Sequence, residues 1–139
     1  MYRKILVPHD GSIISGKAVK HAASLAKVVG SKITLINVID IPYISQLSEG
    51  FSINIEELER ESRSILKSAE NAVKDEGVSV STISVKGRPW EEIVKEAEKG
   101  GYDLIIMGSH GKGVIDRMLM GSTAEKVSRH APCPVTIVR

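Results

Sequence analysis

The strongest constraint on the fold is a regular alternation of short apolar runs with longer helical patterns. Apolar runs at residues 3–7, 32–38, 103–107 and 134–138, and an alternating polar and apolar run at 78–85, predict five strands. The segments between them carry apolar residues at helical spacing, and glycines such as Gly30 and Gly77 end several of them. This order predicts an α/β fold, a single doubly wound and mainly parallel sheet with helices on both faces.

The one long connection without a clear pattern covers residues 40–54. We expect it to be irregular, and a connection this long in a compact domain is usually functional or mobile. Its apolar and aromatic side chains, including Tyr43 and Phe51, argue against a solvated linker. It should therefore pack on its own domain, on a ligand or on a second subunit, and the sequence leaves all three open.

Composition excludes several classes of function. A chain of 139 residues with 42% apolar and 26% charged residues is expected to form one domain over residues 1–139. A net charge of +2 without a basic arm gives no indication of nucleic-acid binding. No segment reads as a signal peptide or membrane span, and Cys133 has no partner for an internal disulfide, so we expect a cytoplasmic protein with no membrane partner.

The stretch from Gly108 to Thr123 combines glycines with polar and basic residues between a predicted strand and a predicted helix. Such a loop presents backbone N–H groups and a helix N-terminus, an arrangement that binds anions and most often phosphate. Lys112 and Arg117 lie within it and can add positive charge. Each residue alone has a simpler explanation, such as a turn, a helix cap or a solvated side chain, but the combination favours phosphate binding.

A second polar loop follows the first strand and contains His9, Asp10 and Ser12. Ligands of open α/β sheets bind beyond the carboxyl ends of the strands, so the two loops would share one crevice if strands one and four are neighbours. An ionised Asp10 is an acceptor only, which suits ribose hydroxyls or a hydrated Mg²⁺. The Walker A motif does not fit, because Lys112 is followed by Gly113 and not by serine or threonine. The dinucleotide-binding fingerprint does not fit either, because the glycine-rich loop does not follow the first strand.

The spacing that does fit is Gly108-x₂-Gly111-x₉-Gly121-Ser122, which resembles the nucleotide-binding signature of the universal stress protein family. The segment 7–12 (Val-Pro-His-Asp-Gly-Ser) resembles the opening of that family, and 131–135 (Ala-Pro-Cys-Pro-Val) its closing segment. The resemblance covers essentially the whole chain. It implies a Rossmann-like, adenine nucleotide alpha hydrolase-like sheet with strand order 3-2-1-4-5, which makes strands one and four neighbours.

The resemblance to the ATP-binding branch of the family also implies a ligand and its contacts. ATP, or AMP, would be held with Mg²⁺ or Mn²⁺ bound through the phosphates and no metal site made by protein side chains alone. Asp10 would bind the ribose hydroxyls, and His9 would touch the base or a phosphate or face solvent. The residues expected to bind the nucleotide are Pro8, His9, Asp10, Val38, Met107, Gly108, Gly111, Lys112, Gly121, Ser122 and Thr123.

No catalytic set is apparent, since Ser109 and His110 are adjacent and no nucleophile motif surrounds them. We therefore expect a nucleotide-dependent regulatory or stress-response module with slow or no hydrolysis. A slow Mg²⁺- or Mn²⁺-dependent ATPase or phosphotransferase, and a partner-binding scaffold that holds AMP or no nucleotide, are the alternatives. The resemblance further implies a homodimer joined through the apolar strand 135–138, at an edge of the sheet.

Overall fold

The computed structural model describes residues 1–48, 52–111 and 120–139. Strands and helices alternate along the chain except where two helices follow one another after the second strand. The elements are β1 (Lys4–Pro8), α1 (Ile13–Val29), β2 (Lys32–Asp40), α2 (Ile41–Ser48), α3 (Ile55–Asp75), β3 (Val80–Gly87), α4 (Pro89–Gly100), β4 (Leu104–Gly108), α5 (Ser122–His130) and β5 (Val135–Val138).

The five strands form one parallel sheet in the order β3-β2-β1-β4-β5. β1 lies at the centre, where Ile5 is paired with Ile33 on one side and with Leu104 on the other. This confirms the predicted fold class and the strand order implied by the family resemblance. It also makes β1 and β4 neighbours, so the loops that follow them leave the sheet at the same edge.

Two hydrophobic clusters cover the two faces of the sheet. The first packs β-strand residues such as Val7 and Leu35 against Ala22 of α1 and Leu66 of α3. The second packs the opposite face, where Leu6 and Ile105 meet residues of α4 and α5. Side chains alternate between the faces along each strand, and β1, β2 and β4 are buried almost throughout, as expected for central strands between two helical layers.

The prediction of an irregular connection over residues 40–54 is wrong for its first half. β2 continues to Asp40, and α2 begins immediately after it. Pro42 is compatible with this helix because it lies in the first turn, where its missing N–H would have no intrahelical partner. The Tyr43 N–H donates to Asp40 Oδ1 at 3.1 Å, which gives the helix a side-chain cap. Residues 49–51 of the predicted connection lie outside the described residues.

The sheet edges agree with the sequence pattern. Apart from the adjacent exposed residues Ser81 and Thr82, β3 alternates between exposed and half-buried residues, as its polar and apolar alternation predicts. β5 forms the other edge, and all four of its residues are half-buried. No helix in the described ranges is long and apolar enough to cross a membrane.

Candidate functional site

A cavity of about 520 Å³ opens at the carboxyl edge of the sheet, between the loops that follow β1 and β4. Its floor is formed by the ends of β1, β2 and β4, and one side is formed by the first turn of α5. Binding sites for small molecules usually have volumes of about 300–1,000 Å³, so the cavity is large enough for a ligand of nucleotide size.

The structure brings together every candidate residue that it describes. The cavity is lined by Pro8, His9, Asp10, Val38, Met107, Gly108, Gly111, Gly121, Ser122 and Thr123. Lys112, the remaining candidate, and Arg117 lie outside the described residues. The predicted shared crevice between the first and fourth strands is therefore present.

Hydrogen bonds fix the Asp10 carboxylate in the first loop. Its Oδ1 accepts from the Ser12 N–H at 2.9 Å and from Ser15 Oγ, also at 2.9 Å. Its Oδ2 is directed towards the second loop, since a Cβ built at Gly111 would lie only 2.7 Å from it. The two oxygens thus have different surroundings, one within its own loop and one facing across the crevice.

His9 is held through both its backbone and its ring. Its N–H donates to the Ile36 carbonyl at 2.9 Å, and its own carbonyl accepts from Asn37 Nδ2 at 2.9 Å. The ring Nδ1 lies 2.6 Å from Ser15 Oγ. Sequence reasoning missed both Asn37 and Ser15, because a polar residue in a buried strand and a serine three residues after an N-cap have no distinct pattern of their own.

The β4 loop packs closely against the start of α5. The Gly121 N–H donates to the Ser109 carbonyl at 2.6 Å, and a Cβ at Gly121 would lie 3.2 Å from that oxygen. Ser109 is almost fully buried, and its hydroxyl lies 2.7 Å from His110 Nδ1. Glycine at position 121 therefore allows the helix N-terminus to approach the loop backbone without displacing it.

The first turn of α5 presents backbone donors to the cavity. The helix begins after Gly121, and no described side chain caps it. Its first intrahelical bond runs from the Glu125 N–H to the Gly121 carbonyl at 3.0 Å. The N–H groups of Ser122, Thr123 and Ala124 precede that bond, and all three residues line the cavity. Such a helix end favours an anion, by hydrogen bonding and by the helix dipole.

Three further helices complete the walls of the cavity, and no motif in the sequence indicates their part in it. Tyr43 and Ile44 of α2, Glu61 and Ser62 of α3, and Ile93 of α4 all line the cavity. The helical packing of the chain brings them there, so no local motif marks them. The sequence signal that could have located α2 is Asp40 followed two residues later by Pro42. An aspartate at the N-cap with a proline in the first turn is a common helix start.

Among the described residues, no group of three or more His, Cys, Asp or Glu side chains is placed to hold a metal ion. Asp10, Asp40 and Glu61 are the carboxylates along the described cavity wall. His9 and His110 both line it as well, and the Nδ1 atom of each lies within hydrogen-bonding distance of a serine hydroxyl.

Comparison with known proteins agrees with this architecture. The model of the universal stress protein family matches residues 1–139. The chain belongs to the universal stress protein family. Universal stress protein MJ0531 of Methanocaldococcus jannaschii is 39% identical over 141 residues, which cover 100% of this chain and 83% of that protein.

Solved structures of this family share the fold. Protein MJ0577, also of Methanocaldococcus jannaschii, superimposes with a TM-score of 0.88 at 37% identity, covering 99% of this chain and 96% of that chain. A universal stress protein in complex with cAMP gives 0.77 at 23% identity, with 99% and 97% covered. The universal stress protein of Archaeoglobus fulgidus in complex with dAMP gives 0.74 at 22% identity, with 99% and 98% covered. The last two likenesses concern the fold alone.

Proposed function

We propose that this universal stress protein binds an adenine nucleotide in the crevice between β1 and β4, with ATP as the leading candidate and AMP as the alternative. The observation that carries the proposal is the meeting of Asp10 with the N-terminus of α5 in one cavity. An acceptor for hydroxyl groups and a row of donors for an anion then stand in the same site. A nucleotide carries both matching groups on one molecule, a ribose diol and a phosphate chain.

The walls of the cavity divide into an apolar and a polar part. Pro8, Val38 and Met107 supply an apolar surface for a base. Asp10 lines the same cavity, and an ionised carboxylate is an acceptor that suits the ribose hydroxyls. Gly111, Gly121, Ser122 and Thr123 would then hold the phosphates through backbone N–H groups and hydroxyls. Two proteins that share this fold have been solved in complex with cAMP and with dAMP, so an adenine nucleotide is a ligand that the fold accommodates.

A divalent ion would be held mainly by the phosphates of the nucleotide. Mg²⁺ usually keeps several water ligands and is bound by one or two carboxylates beside the substrate phosphates, and Asp10 directs its Oδ2 towards Gly111 of the glycine loop. We propose a regulatory or stress-response module in which the nucleotide acts as a stabilising ligand or switch, with slow or no hydrolysis.

Calorimetry on purified protein tests the proposal directly. Titration with ATP, AMP and GTP, each with and without Mg²⁺, should give saturable binding of an adenine nucleotide and weaker binding of GTP. Acid release followed by chromatography should detect the same nucleotide carried through purification. The proposal fails if no adenine nucleotide binds and none is released. Phosphate release above background with Mg²⁺ or Mn²⁺, abolished by Gly121→Val, would instead support the slow ATPase.

We also propose a homodimer joined through β5. This strand forms an edge of the sheet, and an edge strand with apolar residues offers unpaired backbone groups to a second strand. The Pro134 carbonyl accepts from Ile105 of β4, and the Val138 carbonyl accepts from Ser109, directly after β4. Backbone N–H and C=O groups of successive strand residues face opposite sides, so those of Ile137 face away from β4 and are available to a second strand. Sedimentation velocity should give a dimer for the native chain and a monomer for Ile137→Pro. A native monomer at micromolar concentration would contradict the proposal.

A further inference from the structure

The hydroxyl group of Ser15 is the meeting point of three side chains in the first loop. Ser15 is only 5% exposed. Its Oγ lies 2.6 Å from His9 Nδ1, 2.9 Å from Asp10 Oδ1 and 3.1 Å from Ser12 Oγ. Two of these partners, His9 and Asp10, line the nucleotide cavity, as does Ser15 itself.

The donor and acceptor inventory assigns the direction of each bond. A serine hydroxyl has one hydrogen to donate and two lone pairs to accept with. The ionised Asp10 carboxylate can only accept, so Ser15 donates to Oδ1. The Ser12 carbonyl at 3.0 Å is a second acceptor for the same hydrogen, but a charged acceptor forms the stronger bond.

The two lone pairs of Ser15 Oγ are then filled by Ser12 Oγ–H and by His9 Nδ1–H. Every hydrogen-bonding position of this buried hydroxyl is used. Satisfied buried networks of this kind are rigid, because moving one member leaves another without a partner at a cost in free energy.

From this arrangement we propose that Ser15 is a positioning residue of the nucleotide site, which fixes the Asp10 carboxylate and keeps a proton on His9 Nδ1. The part concerning ligand affinity rests on the proposed function. Ser15 and the Ser12 N–H together hold Oδ1, and this directs Oδ2 towards Gly111. In the neutral His9 ring, Nε2 is then an acceptor.

A double-mutant cycle tests the role of Ser15 in orienting Asp10. Ser15→Ala should weaken ATP binding about 10-fold, because the Asp10 carboxylate loses the Ser15 hydrogen bond and with it a fixed orientation. In an Asp10→Ala background the same change should have no further effect. Without Mg²⁺, binding of inorganic tripolyphosphate, which has no ribose, should change much less than binding of ATP. Ser24→Ala, an exposed serine on the same helix, is the matched control and should bind ATP like the native chain.

Nitrogen-15 NMR tests the proton on His9 without any nucleotide. Long-range proton–nitrogen spectra at pH above the usual histidine range should give protonated Nδ1 and unprotonated Nε2 for His9, with assignment by loss of the signals in His9→Gln. Ser15→Ala should move the proton towards Nε2, and Ser15→Thr, which retains a hydroxyl, should restore the native pattern where circular dichroism confirms folding.

The outcomes separate the two proposals. If ATP fails to bind the native chain while His9 carries its proton on Nδ1, the proposed function is wrong and the Ser15 network stands. If ATP binds but Ser15→Ala and Asp10→Ala act additively, Ser15 does not position Asp10. A proton on Nε2 in the native protein would overturn the assignment for His9.

Discussion

Asp10 and Gly111 face each other across the crevice so closely that a methyl group on Gly111 would lie 2.7 Å from Asp10 Oδ2. The contact joins the loop after β1 to the loop after β4. Asp10 cannot turn away without cost, because its Oδ1 is held by the Ser12 N–H and by Ser15 Oγ. The absence of a side chain at position 111 is therefore tied to the orientation of the carboxylate.

Gly111→Ala should weaken ATP binding about 10- to 100-fold by forcing Asp10 out of its hydrogen bonds. Calorimetry at fixed Mg²⁺ measures the change. The same displacement leaves the buried Ser15 hydroxyl without its charged acceptor, so the free energy of unfolding should also fall, by about 1–3 kcal/mol, although Gly111 itself has no left-handed backbone. Native affinity in Gly111→Ala would mean that the contact with Asp10 has no role in binding.

Gly16→Ala is the control for Gly111→Ala, and it should stabilise the protein without changing ATP binding. Gly16 lies within α1 and does not line the cavity, and a Cβ there would meet no described atom within 4 Å beyond its chain neighbours and its own helix backbone. Alanine restricts the unfolded chain and favours a helix, so the free energy of unfolding should rise by about 0.5–1 kcal/mol. Urea denaturation measures it, and ATP affinity should stay at the native value. A loss of stability would indicate a strained environment around this turn.

Tyr43 is expected to stack on the base of a bound nucleotide. It lines the cavity from α2 and is 46% exposed, so it is accessible to a ligand in the site. Stacking of a base on an aromatic ring contributes about 1–3 kcal/mol. Tyr43→Ser should therefore weaken ATP binding at least about 5-fold, whereas Tyr43→Phe should bind like the native chain. Tripolyphosphate, which has no base, is the control ligand; an equal loss for both ligands would argue against stacking.

Much of the fold could be predicted because the signals are local and repeated. The apolar run at β2 and the alternating run at β3 distinguish a central strand from an edge strand by composition alone. The glycines at 108, 111 and 121 mark a close backbone approach, and the structure places two of them where a Cβ would press on Asp10 or on the Ser109 carbonyl. The family resemblance supplied the order of the strands, which alternation alone does not determine.

The parts of the structure that could not be predicted depend on contacts between residues distant in sequence, or on sequence patterns that are compatible with two different local structures. Ser12 and Ser15 have the spacing of an ordinary helix start, and Ser12 does cap α1. Nothing in that pattern indicates that Ser15 also bonds His9 and Asp10. α2 was missed because Pro42 reads as a helix breaker unless its place in the first turn is known. Glu61 and Ile93 reach the cavity only through the packing of α3 and α4.

Cys133 should be slow to react with alkylating reagents in the folded protein. Burial raises the pKa of the Cys133 thiol, and the negative charge of Asp103 raises it further. The thiolate is the reactive form, so a raised pKa lowers its fraction at any pH below that value. By linkage, the folded state keeps the Cys133 proton at a pH where the unfolded chain has lost it, so this group lowers stability as the pH rises above the unfolded pKa.

Mass spectrometry of iodoacetamide labelling from pH 7 to 10 should give a midpoint for Cys133 above that of the same chain in urea. Asp103→Asn, which removes the charge and leaves the burial, should lower the midpoint only slightly, since burial is the larger cause. Equal midpoints for the folded and unfolded chains would contradict the prediction.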